Sequence, residues 1–435
     1  MNSRTSVRIA LLMTGNELMT GDIVDSNAKR VAEAFLPLGL MVEQKSTVGD
    51  RLDLLVSEMQ RLSQSADVLL VNGGLGPTSD DLTAAALAEV MGCALVEHPD
   101  AVSHLEQWCV ARGFALSRAN RKQALLPEGV ALIPNAVGSA VGFSATVNDC
   151  LILCTPGVPS ELERMLSDEI VSLLQQRLPG ESQFKRVRLR IFGYGEAGLQ
   201  QILSDHLAQW PPQIELGFRA SMPLLELKLQ ASRQQDFALL EQLRQQVENL
   251  LGPHVVGENE CRMAEVLVSL LQENGLKVCT AESCTGGMIA SLITQVSGAS
   301  QVFEAGWVTY ANSIKEQELG VSAATLEREG AVSEAVVRQM LQGALVRSGA
   351  DLGVAVSGIA GPGGGTPDKP VGLVWLAWGS REQQQARAFY LPGNRQRFQV
   401  WVANLAMDLL RRQVLGTPEE PIYFIERQPP QSKPQ

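Results

Sequence analysis

The sequence predicts an α/β protein of several domains, and three features predict it. The chain has 435 residues, against roughly 100–200 per domain, so two to four domains are expected. Over the first third and the last two-fifths, short unbroken apolar runs alternate with segments of helical spacing, as in parallel sheets covered by helices on both faces. Between these regions apolar and charged residues alternate instead, as in a small antiparallel α+β module.

In chain order, VRIALLMTG reads as a buried strand ending in a glycine turn, and SNAKRVAEAFLPLG has helical spacing. LMVEQKSTVG (strand), LDLLVSEMQRLSQSA (helix), ADVLLVNGGLG (strand) and DDLTAAALAEVMG (helix) continue the alternation, and CLILCTPGVPSELERML repeats it with a helix from Ser160. FKRVRLRIFGYG and LLELKLQAS should each keep one wet face, with helices EAGLQQILSDHLAQW and QDFALLEQLRQQVENLLG beside them. A second α/β unit runs from RMAEVLVSLLQENG and LKVCTAES to the final helix RFQVWVANLAMDLLRRQVL. The expected domains are 1–170, 171–257 and 258–416, followed by a proline-rich tail, 417–435, whose last ten or so residues should be disordered.

Composition excludes several classes. With 45 % apolar and 19 % charged residues the chain has ordinary globular usage. Its net charge of -11 leaves no basic face for nucleic acid, so small-molecule partners are expected. Seven scattered cysteines without a Cys-x-x-Cys, and four histidines outside any motif, give no disulfide framework and no zinc site. The first apolar run passes straight into a polar turn, unlike a signal peptide, and no stretch reaches the ~20 apolar residues of a membrane span. A cytoplasmic protein is expected.

Two glycine turns of the first domain should lie at the carboxyl ends of parallel strands, where ligands of open α/β sheets collect. They are TGNELMTGDIVDSN, containing Gly15, Glu17, Asp25 and Asn27, and NGGLGPTSDDLT, containing Gly73, Gly74, Gly76, Asp80 and Asp81. Glycines let backbone approach a phosphate, a helix start adds partial positive charge, and Asp80 and Asp81 are candidate ligands for a hard cation. Asn120, Arg121 and Lys122, in NRKQALLP, suit a second phosphate, or equally a polar helix-to-loop surface. Equally, the glycines can serve only a tight turn and the aspartates only a cap.

The richest segment is TAESCTGG, which ends a strand and opens a helix, so that N–H groups near Gly286 and Gly287 should face a ligand. Ser283, Thr285 and Cys284 bring two hydroxyls and a thiol. Amide hydrolysis needs a nucleophile, a base and oxyanion donors. No histidine follows His254, so the base must be another residue. Lys315 is the candidate, because a desolvated lysine can act as a base; as an ordinary helix lysine it would be exposed. Tyr310 precedes it, and SGIAGPGGGTPDKPVG forms a second close-approach loop after an apolar strand. Cys284 is the rival nucleophile.

The stretch NGGLGPTSDDLT with TGNEL upstream resembles the molybdopterin-binding fold, and with NRKQALLP and TPGVPSE it resembles the N-terminal domain of the CinA (competence/damage-inducible) family. TAESCTGG, GASQVFEAGWVTYANSIKEQELGV, GAVSEAVV, SGIAGPGGGTPDKPVG and LPGNR resemble that family's C-terminal nicotinamide mononucleotide (NMN) deamidase domain. For the C-terminal domain the resemblance implies a cofactor-free amidohydrolase that converts NMN and water to nicotinate mononucleotide and ammonia. Ser283 and Lys315 would be its catalytic pair, with Tyr310 assisting. Glu282, Thr285, Gly286, Gly287, Ser300, Ser357, Gly361 and Gly363 would lie toward the substrate, and Arg395 would reach a neighbouring protomer's site, implying a homodimer. For the N-terminal domain it implies hydrolysis of ADP-ribose to AMP and ribose 5-phosphate with a divalent metal, cobalt or magnesium, and potassium; the residue matching Asp81 would lie at the nucleotide and metal site. The middle segment resembles a KH-type module, although its only GxxG, Gly195–Gly198, is acidic and follows a strand. The alternative is a non-catalytic nucleotide- or molybdopterin-binding regulator linked to competence or DNA damage.

Overall fold

The computed structural model describes residues 7–178, 184–207, 209–417 and 419–430. The chain divides into two compact units, one of residues 1–185 with 231–237, the other of 186–230 with 238–435.

The first unit is built on a six-stranded sheet in the order Val42–Val48, Ile9–Thr14, Val68–Asn72, Cys150–Thr155, Gly142–Val147, Ala131–Ile133. The first four strands are mutually parallel, and an antiparallel pair closes the other side. Ile9–Thr14, Val68–Asn72 and Cys150–Thr155 are buried at every position because helices cover both faces of the sheet, which explains their unbroken apolar runs. One core gathers Leu12, Leu69 and Phe143, the other Leu11, Phe35 and Leu70. Register sends alternate residues of each strand to opposite sides. Val42–Val48 lies at the sheet edge and is largely exposed.

The middle of the chain is ordered strand, helix, strand, strand, helix, strand, from Lys185–Ile191 to Val255–Glu258. Its sheet runs Ile214–Ser221, Leu224–Ala231, Lys185–Ile191, Val255–Glu258. That is the split βαβ plan. Residues 195–198 join a strand to a helix rather than two helices, so the KH-type expectation finds no support. The expected wet faces are only partly wet: Lys185, Arg186, Arg188 and Lys228 are half-buried, while the remaining charges are covered. Glu226 is fully buried and Arg190 nearly so. Glu226 accepts from Arg219 at 2.7 Å and lies 3.5 Å from Arg190, whose other nitrogens bond Asn259 and Glu260. Charges on this strand pair therefore alternate toward one another under cover, a pattern identical in sequence to alternation toward water.

The rest of the second unit is a five-stranded sheet in the order Phe303–Val308, Val278–Glu282, Leu352–Gly358, Leu373–Gly379, Gln384–Tyr390. The first three strands are parallel, the last two antiparallel. Ser333 caps the helix Glu334–Ser348 by accepting from the Val336 N–H, and Asn394 caps Arg395–Leu415 by accepting from Arg397 at 2.8 Å. The second of these helices buries Phe398, Val402, Leu405, Met407, Leu409 and Leu410, each worth about 1.5–3 kcal/mol of transfer free energy. Among them sits Asp408, fully buried, bonded to Arg411, Arg412 and the Tyr423 hydroxyl.

Tyr423 corrects the expectation of a tail beginning at 417. It is fully buried, opens a short helix Tyr423–Glu426, and packs on Phe192 and Phe389. Arg427 stacks on Trp401 and its carbonyl accepts from Tyr390. Of the expected disordered end, residues 431–435 lie outside the described residues. No helix among the described residues is long and apolar enough to cross a membrane.

Candidate functional site

In the first unit, the strands ending at Thr14, Asn72 and Thr155 open onto a cavity of about 540 Å³. Thr14, Glu17, Asp50, Gly74, Asp81 and Glu161 are among its lining residues, and Gly15, Gly73, Gly76 and Asp80 also border it. The glycine requirement is physical at Gly73 and Gly74. Both have positive φ (110° and 66°), and a Cβ would lie 2.5 Å from the Thr14 carbonyl or from the Thr83 hydroxyl.

Polar groups of this region are turned mostly inward. Asp81 accepts from the Thr78 N–H at 2.8 Å and from its hydroxyl at 2.5 Å. The Lys122 ammonium donates to the carbonyls of Thr78 and Asp81, so it fixes the loop rather than presenting a free charge. Asp80 is exposed. Four expected site residues lie off the cavity, Lys122 among them. Asp25 holds the Ala28 N–H and pairs with Lys45 at 2.6 Å; Asn27 is buried and ties Asn72 to Gly157; Asn120 belongs to a short helix capped by Ser117. Asp50 and Glu161 do line the cavity and were missed: one follows Gly49 and the other Gly157, but neither turn carries the run of glycines that singled out the other two. Asp50 accepts from Thr14 and Asn16, and Glu161 from Asn135. Among the described residues no group of three or more His, Cys, Asp or Glu is placed to hold a metal, so Asp80 and Asp81 do not by themselves fit one.

In the second unit, Ser283 follows the strand Val278–Glu282 and Lys315 lies on the helix Asn312–Leu319. The Lys315 Nζ is 3.2 Å from Ser283 Oγ and donates to the carbonyls of Thr309 at 2.8 Å and Tyr310 at 3.2 Å. Lys315 is only 1 % exposed, so the reading of an ordinary surface lysine fails. Burial lowers its pKa. A neutral amine has two N–H groups and one lone pair. Two carbonyls take the N–H groups, which leaves the lone pair for the serine proton.

Cys284 points into the hydrophobic core beside Ile289 and Phe398, and burial pushes its pKa up to about 12. A thiol so held supplies almost no thiolate at neutral pH. The expected oxyanion donors need correction. Gly286 N–H bonds the Ser283 carbonyl and Gly287 N–H bonds Glu282. Glu282, expected near the substrate, is fully buried, and its carboxylate accepts from Gly287, Ile289 and Ala290. It organises the helix start instead. The Thr285 N–H has no partner among the described residues, and the Thr285 hydroxyl is buried without one.

Tyr310 lies just past the strand Phe303–Val308 rather than on it, and is 59 % exposed. Its hydroxyl accepts from Arg395 at 2.7 Å, and Arg395 also donates to the Gly361 carbonyl at 3.0 Å. Within the chain, Arg395 thus ties the Tyr310 hydroxyl to the loop of Gly361. The loop with Gly361 and Gly363 follows the strand parallel to Val278–Glu282, at the same end of the sheet. Ser357 is buried and donates to the Ala331 carbonyl, anchoring a neighbouring turn. Ser300 is misplaced by the sequence reading. It precedes the strand Phe303–Val308, whose register pairs Phe303 with Val278 and Val308 with Glu282. Ser300 is thus at the amino ends of the strands, roughly 15 Å or more from Ser283 at 3.3 Å per residue. Gln399 was missed: its Nε2 holds the Cys284 carbonyl at 2.9 Å, and nothing in its helix sequence marks it.

Comparison with known proteins agrees with this division. A family model described as the CinA C-terminal domain matches residues 260–414, and one described as a probable molybdopterin binding domain matches residues 10–176. A CinA-like protein of Colwellia psychrerythraea is 49 % identical over 423 residues, covering 97 % of this chain and 98 % of that one. One from Shewanella pealeana is 40 % identical over 411 residues, covering 94 % and 96 %. Among solved structures, a competence/damage inducible protein from Agrobacterium tumefaciens is 42 % identical, covering 35 % of this chain and 93 % of that one, with a TM-score of 0.34. The chain belongs to the CinA-like protein family, and joins a molybdopterin-binding-type domain to a CinA C-terminal domain.

Proposed function

We propose that the second unit hydrolyses the carboxamide of NMN to nicotinate mononucleotide and ammonia. The observation that carries the reading is the buried Lys315 amine, 3.2 Å from the Ser283 hydroxyl and, among the described residues, without a carboxylate paired to it. Neutral Lys315 takes the Ser283 proton as Oγ attacks the carboxamide carbon. The N–H groups of Cys284 and Thr285, neither bonded to another residue among those described, are the backbone donors available to the developing oxyanion. The lysine then returns its proton to the departing amine, ammonia leaves, and water repeats the sequence on the acyl serine. Arg395, drawn from Tyr310, would meet the 5′-phosphate. Ammonia release from NMN is the test, with wild type and Lys315→Ala compared without added metal. Turnover in wild type that vanishes in the variant supports the reading; no turnover in wild type overturns it.

The 540 Å³ cavity of the first unit favours a second reading, hydrolysis of ADP-ribose to AMP and ribose 5-phosphate. Backbone at Gly73 and Gly74 is open to close approach by a phosphate. A divalent cation there, cobalt or magnesium, would need phosphate oxygens to complete its shell, and potassium would accompany it. The same cavity would serve a non-catalytic nucleotide- or molybdopterin-binding regulator. Binding of ADP-ribose without turnover would favour that alternative. A cytoplasmic homodimer acting on small nucleotides, with neither nucleic acid nor membrane as partner, completes the proposal.

A further inference from the structure

We infer that the second unit carries a separate site for an uncharged aromatic small molecule bearing one hydrogen-bond donor. A cavity of about 600 Å³ opens between the hairpin turn Ser221–Leu224, the segment Glu260–Ala264 and the helices Met288–Thr294 and Arg395–Leu415. That volume is in the range of small-molecule pockets. Ser283 and Lys315 do not line it.

Its chemistry follows from the side chains. Met222, Met263, Met288, Leu292 and Met407 make its walls mainly apolar, and methionine adapts its shape to flat ligands. The cations at its border are already paired: Arg190 with Asn259, Glu260 and Glu226, and Arg262 with Glu265. Neither invites an anion. Asn404 is 7 % exposed and lines the cavity; one N–H of its Nδ2 goes to the Val400 carbonyl, which leaves Oδ1 as acceptor beside a second N–H. A buried amide oxygen facing an apolar cavity selects a ligand with an N–H or O–H, because an unmet acceptor costs binding.

The site is joined to the catalytic turn by two short links. Met288 directly follows Gly287, and Val400 directly follows Gln399, which holds the Cys284 carbonyl.

The experiment titrates indole, an uncharged aromatic with one N–H, into the full chain by calorimetry, with naphthalene as the control lacking a donor. Saturable one-to-one indole binding is expected, at least tenfold tighter than naphthalene. Asn404→Leu should remove that preference. Ser291→Trp, which fills the cavity from its exposed rim without touching the core, should abolish binding of both while the protein stays folded. Absent or non-saturable indole binding in wild type, equal affinity for the two probes, or unchanged binding in Ser291→Trp each overturns the inference.

Discussion

The two units use the same architectural device, a polar turn at the carboxyl end of a parallel strand, and arrive at opposite arrangements of charge. In the first unit the loop after Asn72 encloses an open cavity, while its own side chains serve the loop: Asp81 holds Thr78, and Lys122 holds two carbonyls. In the second unit the turn after Glu282 brings a hydroxyl and an amine together under cover. A carboxylate or ammonium on a loop is therefore not a site residue by type. What distinguishes Lys315 is burial without a counter-charge, which places a free-energy difference on its proton.

The largest effects should come from breaking the buried pair. Ser283→Ala is expected to lower NMN turnover by at least a thousandfold, whereas Cys284→Ala should stay within a few-fold of wild type, both measured as ammonia release. The opposite order would move the nucleophile to the thiol. The small loss of packing in Cys284→Ala, about 1 kcal/mol, should appear as a lower melting temperature without a change in activity.

Next comes pH. Lys315 acts when neutral, and its folded pKa is below the usual 10.5. The kcat/KM should rise about tenfold per pH unit below that pKa and level off before pH 10.5. Stability follows with a definite sign. The unfolded lysine binds its proton more tightly, so the cost of burying a charged amine is present below the folded pKa and is relieved as pH rises toward 10.5. Lys315→Met should flatten both profiles; a rate limb that persists in that variant would assign it to another group.

How far the sequence reveals these arrangements depends on whether the deciding contact is local. Strand runs such as CLILCT and the order of helices and strands are legible because burial on both faces leaves an unbroken apolar record. Ser283 and Lys315 are legible as a pair because one follows a strand and the other opens the neighbouring helix. Ser300 is not, since motif order along the chain says nothing about which end of a strand a residue occupies. Glu282 reads as a substrate-side residue and Asp408 as an ordinary helix position, yet both are fully buried, one by a helix start and the other by two arginines and Tyr423. Partners distant in sequence decide these cases, and no spacing rule contains them.

A smaller effect tests Glu282. Removing an acceptor shared by three N–H groups should cost about 2 kcal/mol of stability, so Glu282→Gln, which keeps the shape and loses the charge, should lower the melting temperature. Activity should fall only in proportion to the folded fraction. A variant with full stability and no turnover would instead put this carboxylate in contact with the reaction.

The smallest effect, and the sharpest on the comparison itself, concerns Asp81. Its carboxylate is the acceptor for the Thr78 N–H, and losing one such bond costs about 1 kcal/mol. In Asp81→Ala the Thr78 amide should therefore exchange with solvent roughly five- to tenfold faster, while amides in the strand Val68–Asn72 keep their protection. ADP-ribose binding should weaken by a similar factor, because the loop that frames the cavity is less often in place. If Thr78 exchange is unchanged and ADP-ribose binding disappears, Asp81 faces the ligand rather than its own loop. The first unit would then resemble the second, with its charge committed to chemistry.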